Sequence, residues 1–351
     1  TQNLSFKKIF SIGLIYRIFV YLILVSIPFF HEKFGNISPL SFHSFADMQF
    51  YLLFGNCGEF TFSEFLITYK NVLQLNFDDV ICRYPGPIFS LIINILNYSE
   101  NFTILVSLLI FSIEIISYYF WSKYLFFKIN KVSALVFSFM PFPLIFGFLH
   151  SPDIIFYLLS SLIILFLKDF IKLNNINLFI LCFLMVLTRP SSFLILFFIL
   201  IYGIIKNSRV LIIISSISII FCIFYYLPYF IDELRIVKKN TQIYFTFNNV
   251  FLSQIFIYIQ KFFYLMGFSP SESGNKYFLT IRYVCGLIFI IGYLYSYRKF
   301  NFFNFLLINI HIIPIVLFMY PAYRYILPIM PILFLYSYKI SENIFLKYKV
   351  T

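Results

Sequence analysis

Charge is what this sequence has least of. Only 11% of its 351 residues are charged, against about 25% in an ordinary soluble chain. With 61% hydrophobic residues and a mean hydropathy of +0.91, that shortage excludes a water-soluble globular domain and makes lipid the expected solvent. Acids are the scarcer sign, 14 Asp and Glu against 26 Lys and Arg, for a net charge of +12. On a soluble chain such an excess would suggest nucleic acid. Here the tendency of cytoplasmic loops to collect Lys and Arg accounts for it, and no nucleic-acid partner is expected. Trp occurs once, whereas Phe occurs 52 times; the richness in Phe, Ile and Asn reads as compositional drift, not as an aromatic site. None of the five cysteines has the close spacing of a metal or redox motif. Cys182, Cys222 and Cys285 fall in apolar runs and are expected in the core, while Cys57 and Cys82 share one polar loop where a disulfide could form. A secretory cleavage pattern is also lacking: Lys7 and Lys8 precede an apolar run long enough to span, with no small-residue site after it. No internal repeat stands out, which weighs against an inverted-repeat transporter.

What the chain does have is apolar runs. A spanning helix needs about 20 apolar residues, and candidates fall at 9–30, 103–121, 132–149, 154–167, 177–188, 191–205, 210–230, 278–297, 302–319 and 325–338. The expected fold class is therefore all-α, a polytopic transmembrane helical bundle of about ten spans. One integral membrane domain covers 1–351. The segment 31–102 is too polar and too long for a simple connection, and such loops are usually functional. It is read as a large first extracytoplasmic loop, with short juxtamembrane helices at 46–55 and 86–97. A second outer segment, 231–277, mixes Asp232, Arg235, Lys238 and Lys239 with an apolar stretch at 250–267, a re-entrant or interfacial helix. This assignment puts basic clusters at every inner turn and at both termini, as the positive-inside tendency requires. Both termini are expected in the cytoplasm, and the expected location is a bacterial inner membrane.

Several costly residues fall at outer helix ends: Asp47, Arg83, His150, Asp153, Arg189 and Arg324. Ionisable residues at membrane depth are expensive and are functional candidates by default. Chemically the set suits a transferase that uses a lipid phosphate. Asp47 could act as general base on an acceptor hydroxyl, or hold a divalent metal (Mg or Mn) with Asp153 or His150, since hard cations prefer oxygen ligands. Arg189, Arg324 and Arg83 could bind a phosphate leaving group by charge-assisted hydrogen bonds and stabilise its developing charge. Tyr323 and Tyr325 flank Arg324 and could orient it.

Five segments carry a resemblance. Phe45-Ala46-Asp47-Met48-Gln49-Phe50-Tyr51-Leu52 looks like a first-loop acidic motif, and Arg83-Tyr84-Pro85-Gly86-Pro87-Ile88-Phe89 like a proline-containing juxtamembrane helix. Pro141 to Asp153 ends in His-Ser-Pro-Asp, Leu187-Thr188-Arg189-Pro190 makes a turn between short helices, and Tyr323-Arg324-Tyr325-Ile326-Leu327-Pro328-Ile329-Met330-Pro331 has the form Arg-Tyr-x-x-Pro-x-x-Pro. In this order the chain resembles the GT-C superfamily of membrane glycosyltransferases, among them protein mannosyltransferases and aminoarabinose transferases. The resemblance implies a polyprenyl-phosphate-linked sugar donor and a glycan, lipid or protein acceptor on the outer face. It implies Asp47 as catalytic acid/base, with Asp153 as its partner or as a metal ligand. Many relatives carry a second acid beside the first, where this chain has Met48 and Gln49, so metal dependence stays open. The alternatives are an oligosaccharide repeat-unit polymerase or ligase, and a lipid-glycan flippase or other transporter, which would place charges at the bilayer midplane. Three deeper residues are read as structural: Arg17 snorkelling toward the inner interface, Glu114 hydrogen-bonded between helices, and His311 as a satisfied core histidine.

Overall fold

The structure, a computed structural model, describes residues 5–34, 88, 92, 102–140, 153–240, 250–268, 276–299, 301–318 and 323–348. The described residues form helices and no strand, an all-α arrangement. In chain order these are α1 (Phe6–Phe34), α2 (Phe102–Tyr124), α3 (Lys131–Ser138), α4 (Asp153–Leu167), α5 (Asn175–Val186), α6 (Ser192–Ile205), α7 (Arg209–Asn240), α8 (Val250–Leu265), α9 (Lys276–Arg298), α10 (Phe302–Phe318) and α11 (Met330–Tyr348). A five-residue π-helical turn, Leu125–Ile129, follows α2, and a 3-10 segment, Tyr323–Ile329, precedes α11. Of these, the stretch Arg209–Leu227 is long and apolar enough to cross a bilayer by length and composition. Shorter apolar helices of 10–17 residues include Asp153–Leu167, Asn175–Val186 and Ser192–Ile205.

Asparagine and aspartate set the helix ends. Asn130 and Asn174 accept hydrogen bonds from the backbone N–H of Ser133 and Asn177, both at 2.7 Å, and so cap α3 and α5. Asn301 does the same for Asn304 N–H at 3.1 Å at the start of α10. Helices α4, α6 and α8 stop at a residue in the left-handed region: Asp169 (φ 55°), Asn207 (φ 53°) and Gly267 (φ 101°). The next N–H then reaches back five residues, as from Ser208 to the Gly203 carbonyl at 2.8 Å, which satisfies an orphan carbonyl of the last turn.

The core is apolar, built from residues such as Trp121, Ile154 and Leu333, but large apolar side chains are also exposed and several charged ones are buried. Ile15, Ile220 and Leu294 are 68, 68 and 62% exposed, while Arg17, Glu114, Asp153, Arg282 and His311 are buried. Closest packing joins α9 to α11. A Cβ on Gly292 would lie 2.0 Å from the Leu333 carbonyl oxygen, and Ser337 donates to the Ile288 carbonyl. Small residues let helix backbones approach in this way.

Two expectations are corrected by the fold. Arg17 does not snorkel. It is fully buried and its Nε lies 2.9 Å from Glu114 Oε1, also fully buried. Its other nitrogens donate to the Ser138 carbonyl at 2.7 Å and the Met140 carbonyl at 3.0 Å, and the guanidinium stacks over the Tyr118 ring at 3.6 Å. Arg17 thus ties α1 to α2 and to the end of α3, whose last carbonyls lack partners of their own. Second, α7 does not end near 230 but continues through Asp232 and Lys239 to Asn240, and α11 runs past Lys339 to Tyr348. Cys182, Cys222 and Cys285 are buried and free, as core residues should be.

Candidate functional site

The turn between α5 and α6 carries Arg189. Helix α5 ends at Val186 because Pro190 lacks an N–H and pushes its predecessor out of helical geometry. The turn is gripped from several sides. Thr188 Oγ1 donates to the Leu184 carbonyl at 2.7 Å, and Tyr226 of α7 donates its hydroxyl to the Val186 carbonyl at 2.9 Å. Cys222 of the same helix lies 3.6 Å from Ser192 Oγ. From the first loop, Ile88 N–H reaches the Leu187 carbonyl at 3.4 Å. One backbone contact therefore brings Ile88 to the Leu187-to-Pro190 turn.

Arg189 is 7% exposed, and its Nη1 lies 2.8 Å from Oδ1 of Asp153, which is 1% exposed. Asp153 is the first residue of α4, where the positive end of the helix dipole favours a carboxylate. The Tyr325 ring sits 5.5 Å from the Arg189 guanidinium carbon, within cation–π reach. Tyr325 belongs to the 3-10 segment, which packs against α4, α8, α10 and α11. His311 of α10 is buried, and its Nε2 bonds the Tyr325 carbonyl, with Nδ1 without a hydrogen bond among the described residues. Nε2 then carries the proton, because a carbonyl can only accept. His311 is a core histidine, as expected, but only one of its two ring nitrogens is satisfied among the described residues, and that one holds the backbone of a candidate site residue.

Of the residues singled out in the sequence, the structure brings Asp153, Arg189 and Tyr325 together. Asp47, Arg83 and His150 lie outside the described residues, as do the side chains of Tyr323 and Arg324. Among the described residues no three His, Cys, Asp or Glu side chains are placed to hold a metal ion. Asp153 presents one carboxylate oxygen to a guanidinium instead. A negative charge fixed beside a cation in a dry setting can hold that cation in one orientation, and an arginine so held can meet an incoming phosphate without reorganising.

Sequence reasoning missed the supports of this arrangement. Tyr226 and Cys222 sit in an apolar run and carry no local signal. His311 is fourteen positions from Tyr325 and becomes its neighbour through the reversal between α10 and the 3-10 segment. The buried Arg17–Glu114 pair did have a signal. Arg17 is nine residues after Lys8 and Glu114 nine before Lys123, so in antiparallel helices both lie about 14 Å from the same end. The chain matches no protein-family model, no curated protein and no solved structure.

Proposed function

We propose that the chain is an integral membrane glycosyltransferase of the GT-C type, moving a sugar from a polyprenyl-phosphate donor to an acceptor on the outer face. The ten apolar runs are its spans, and the shorter helices lie tilted or paired within the bilayer. The many exposed large apolar side chains, together with charged groups buried in the interior, support the membrane reading, since water would favour neither. The observation that carries the enzymatic reading is the buried Asp153–Arg189 pair under the Tyr325 ring. It joins three of the five motifs, separated by up to 172 positions, and the Ile88 contact adds a fourth.

In the proposed reaction the acceptor hydroxyl oxygen attacks the anomeric carbon. The bond from that carbon to the phosphate oxygen breaks, and polyprenyl phosphate leaves with the electron pair. Asp47 takes the hydroxyl proton. Arg189, held by Asp153, binds the phosphate with Arg324 and Arg83, and the charge it gains as it leaves is where their electrostatic contribution is greatest. His150, Tyr323 and Tyr325 line the donor side. Asp153 is assigned to Arg189 rather than to a metal; a divalent ion, if used, would rest on Asp47 and His150. The transport alternative calls for charges at the bilayer midplane that can meet a substrate. The deep pair here, Arg17 and Glu114, is neutralised and tied to two carbonyls, which supports a structural role. The test is Asp47→Asn, expected to abolish sugar transfer while leaving expression and fold intact. Normal turnover in that variant would remove Asp47 as the base. Donor choice separates polymerase from transferase: a lipid monophosphate monosaccharide should be consumed, and turnover of lipid diphosphate oligosaccharides alone counts against this reading.

A further inference from the structure

A second polar site lies away from Asp153 and Arg189. Between the end of α9, the start of α10 and the middle of α11 is a cavity of about 510 Å³, within the range of small-ligand pockets, about 300–1,000 Å³. Arg298, Lys299 and Lys339 line it, with one carboxylate, Glu342. Among the described residues none of the three cations has an ion-pair partner. Glu342 is itself engaged, since Asn130 Nδ2 donates to its Oε1 at 3.0 Å. Behind the wall stands a fourth cation. Lys168, just past α4, donates to Oδ1 of the lining residue Asn304 at 2.6 Å and lies 4.5 Å from the Phe303 ring centre. Burial, with the added repulsion of Lys339, holds its amine down to about 8.

Basic residues at inner turns are common in membrane proteins and need no ligand. Three features go beyond that tendency. The cations converge on one half-open cavity with Arg298 and Lys299 at its exposed rim, they outnumber the acids there, and a partly buried lysine adds to an excess that folding alone would avoid. An anion would relieve all three. Arginine offers a planar fork that matches phosphate oxygens, and lysines add point charges.

We propose that this cavity binds a phosphate group, carried either by the headgroup of an anionic lipid or by a soluble phosphate compound. The site does not depend on the transferase reading, and its test does not use sugar transfer. Purified chain is reconstituted in phosphatidylcholine nanodiscs and titrated with inorganic pyrophosphate by calorimetry. In a parallel arm the nanodiscs also contain phosphatidylglycerol, and retained lipid is counted by native mass spectrometry. Arg298→Gln with Lys339→Gln should weaken binding about tenfold or more in one arm, and Arg298→Lys with Lys339→Arg should restore most of it. The arm that responds identifies the source of the phosphate. Equal binding by the unaltered chain and the double variant in both arms overturns the proposal. So does an equal loss in Lys206→Gln, an exposed basic residue at a different turn, because that would mean diffuse attraction. If the double variant does not fold, Lys299→Gln, which is exposed, replaces it: a loss of binding several-fold supports the site, and unchanged binding overturns it.

Discussion

The Arg189 guanidinium and the Asp153 carboxylate are both buried and 2.8 Å apart. Breaking such a pair from one side leaves a charge without compensation and costs about 3–5 kcal/mol, whereas replacing both partners by apolar groups of similar volume is often neutral. Asp153→Leu should therefore lower stability by roughly that amount, and Asp153→Leu with Arg189→Met should recover most of it. Thermal unfolding in detergent measures both. Transfer should be lost in the single and the double variant alike, because the phosphate ligand is gone in one and misplaced in the other. Recovery of activity in the double variant would assign the pair to packing alone. Lys168 gives a second residue-scale expectation. Its amine sits near 8 in the fold, below the ordinary 10.5. Below pH 8 both folded and unfolded chains hold the proton, so stability is flat. Between about 8 and 10.5 the folded state loses it first and the unfolded state binds more protons, so stability rises with pH over that window. Lys168→Met should abolish the part of the rise that belongs to this amine, read as the difference between the two melting-temperature profiles.

At the scale of elements, the α9–α11 contact is the most exacting. The nearest obstacle to a Cβ at Gly292 is backbone, at 2.0 Å, whereas at Gly13 it is the tip of the Tyr118 side chain, at 1.9 Å. That ring is buried, bonded to Ser138 and stacked under Arg17, so it has no more room to yield than the backbone has. Gly292→Ala and Gly13→Ala should thus each cost about 1–3 kcal/mol, the second also loosening the Arg17 contact, as measured by detergent melting. The same elements mark how far the sequence could be read. Helices α9 and α10, Lys276–Arg298 and Phe302–Phe318, fall within two residues of their apolar runs, 278–297 and 302–319, because polar residues bracket them. The extension of α7 escaped because Asp232 to Lys239 are too polar to signal a lipid span. Yet Glu, Leu, Arg and Lys are good helix formers, and a helix runs on through them. In the site, Asp153 and Arg189 were visible as costly residues at outer helix ends. Their pairing was not, because it depends on how α4 packs beside the α5–α6 turn, and nothing local in either segment encodes that.

At the scale of the whole molecule, the proposed orientation rests on the distribution of basic residues. The turn between α6 and α7, with Lys206 and Arg209, is the sharpest place to test it, since Lys206 is exposed. In a background with the native cysteines replaced by serine, Lys206→Cys should react with a membrane-impermeant maleimide in inverted vesicles and not in intact cells. Labelling from outside would reverse every assignment of inner and outer ends, and with it the placement of Asp153 and Arg189 on the outer face.

Helix α7 also works as a depth gauge under that orientation. Tyr226, which holds the Arg189 turn, is seventeen residues from the first residue of α7, or about 26 Å at 1.5 Å per residue. The hydrocarbon layer is about 30 Å thick, so the arginine sits just beneath its outer lip, at the level where a lipid-borne phosphate would float. Under the same orientation the fourteen residues from Tyr226 to Asn240 would rise about 21 Å further, a helical post above the Arg189 turn. In the proposed transfer a slender acceptor could pass such a post, while a bulky folded one would have to bring a loose tail or an outlying chain to the lip.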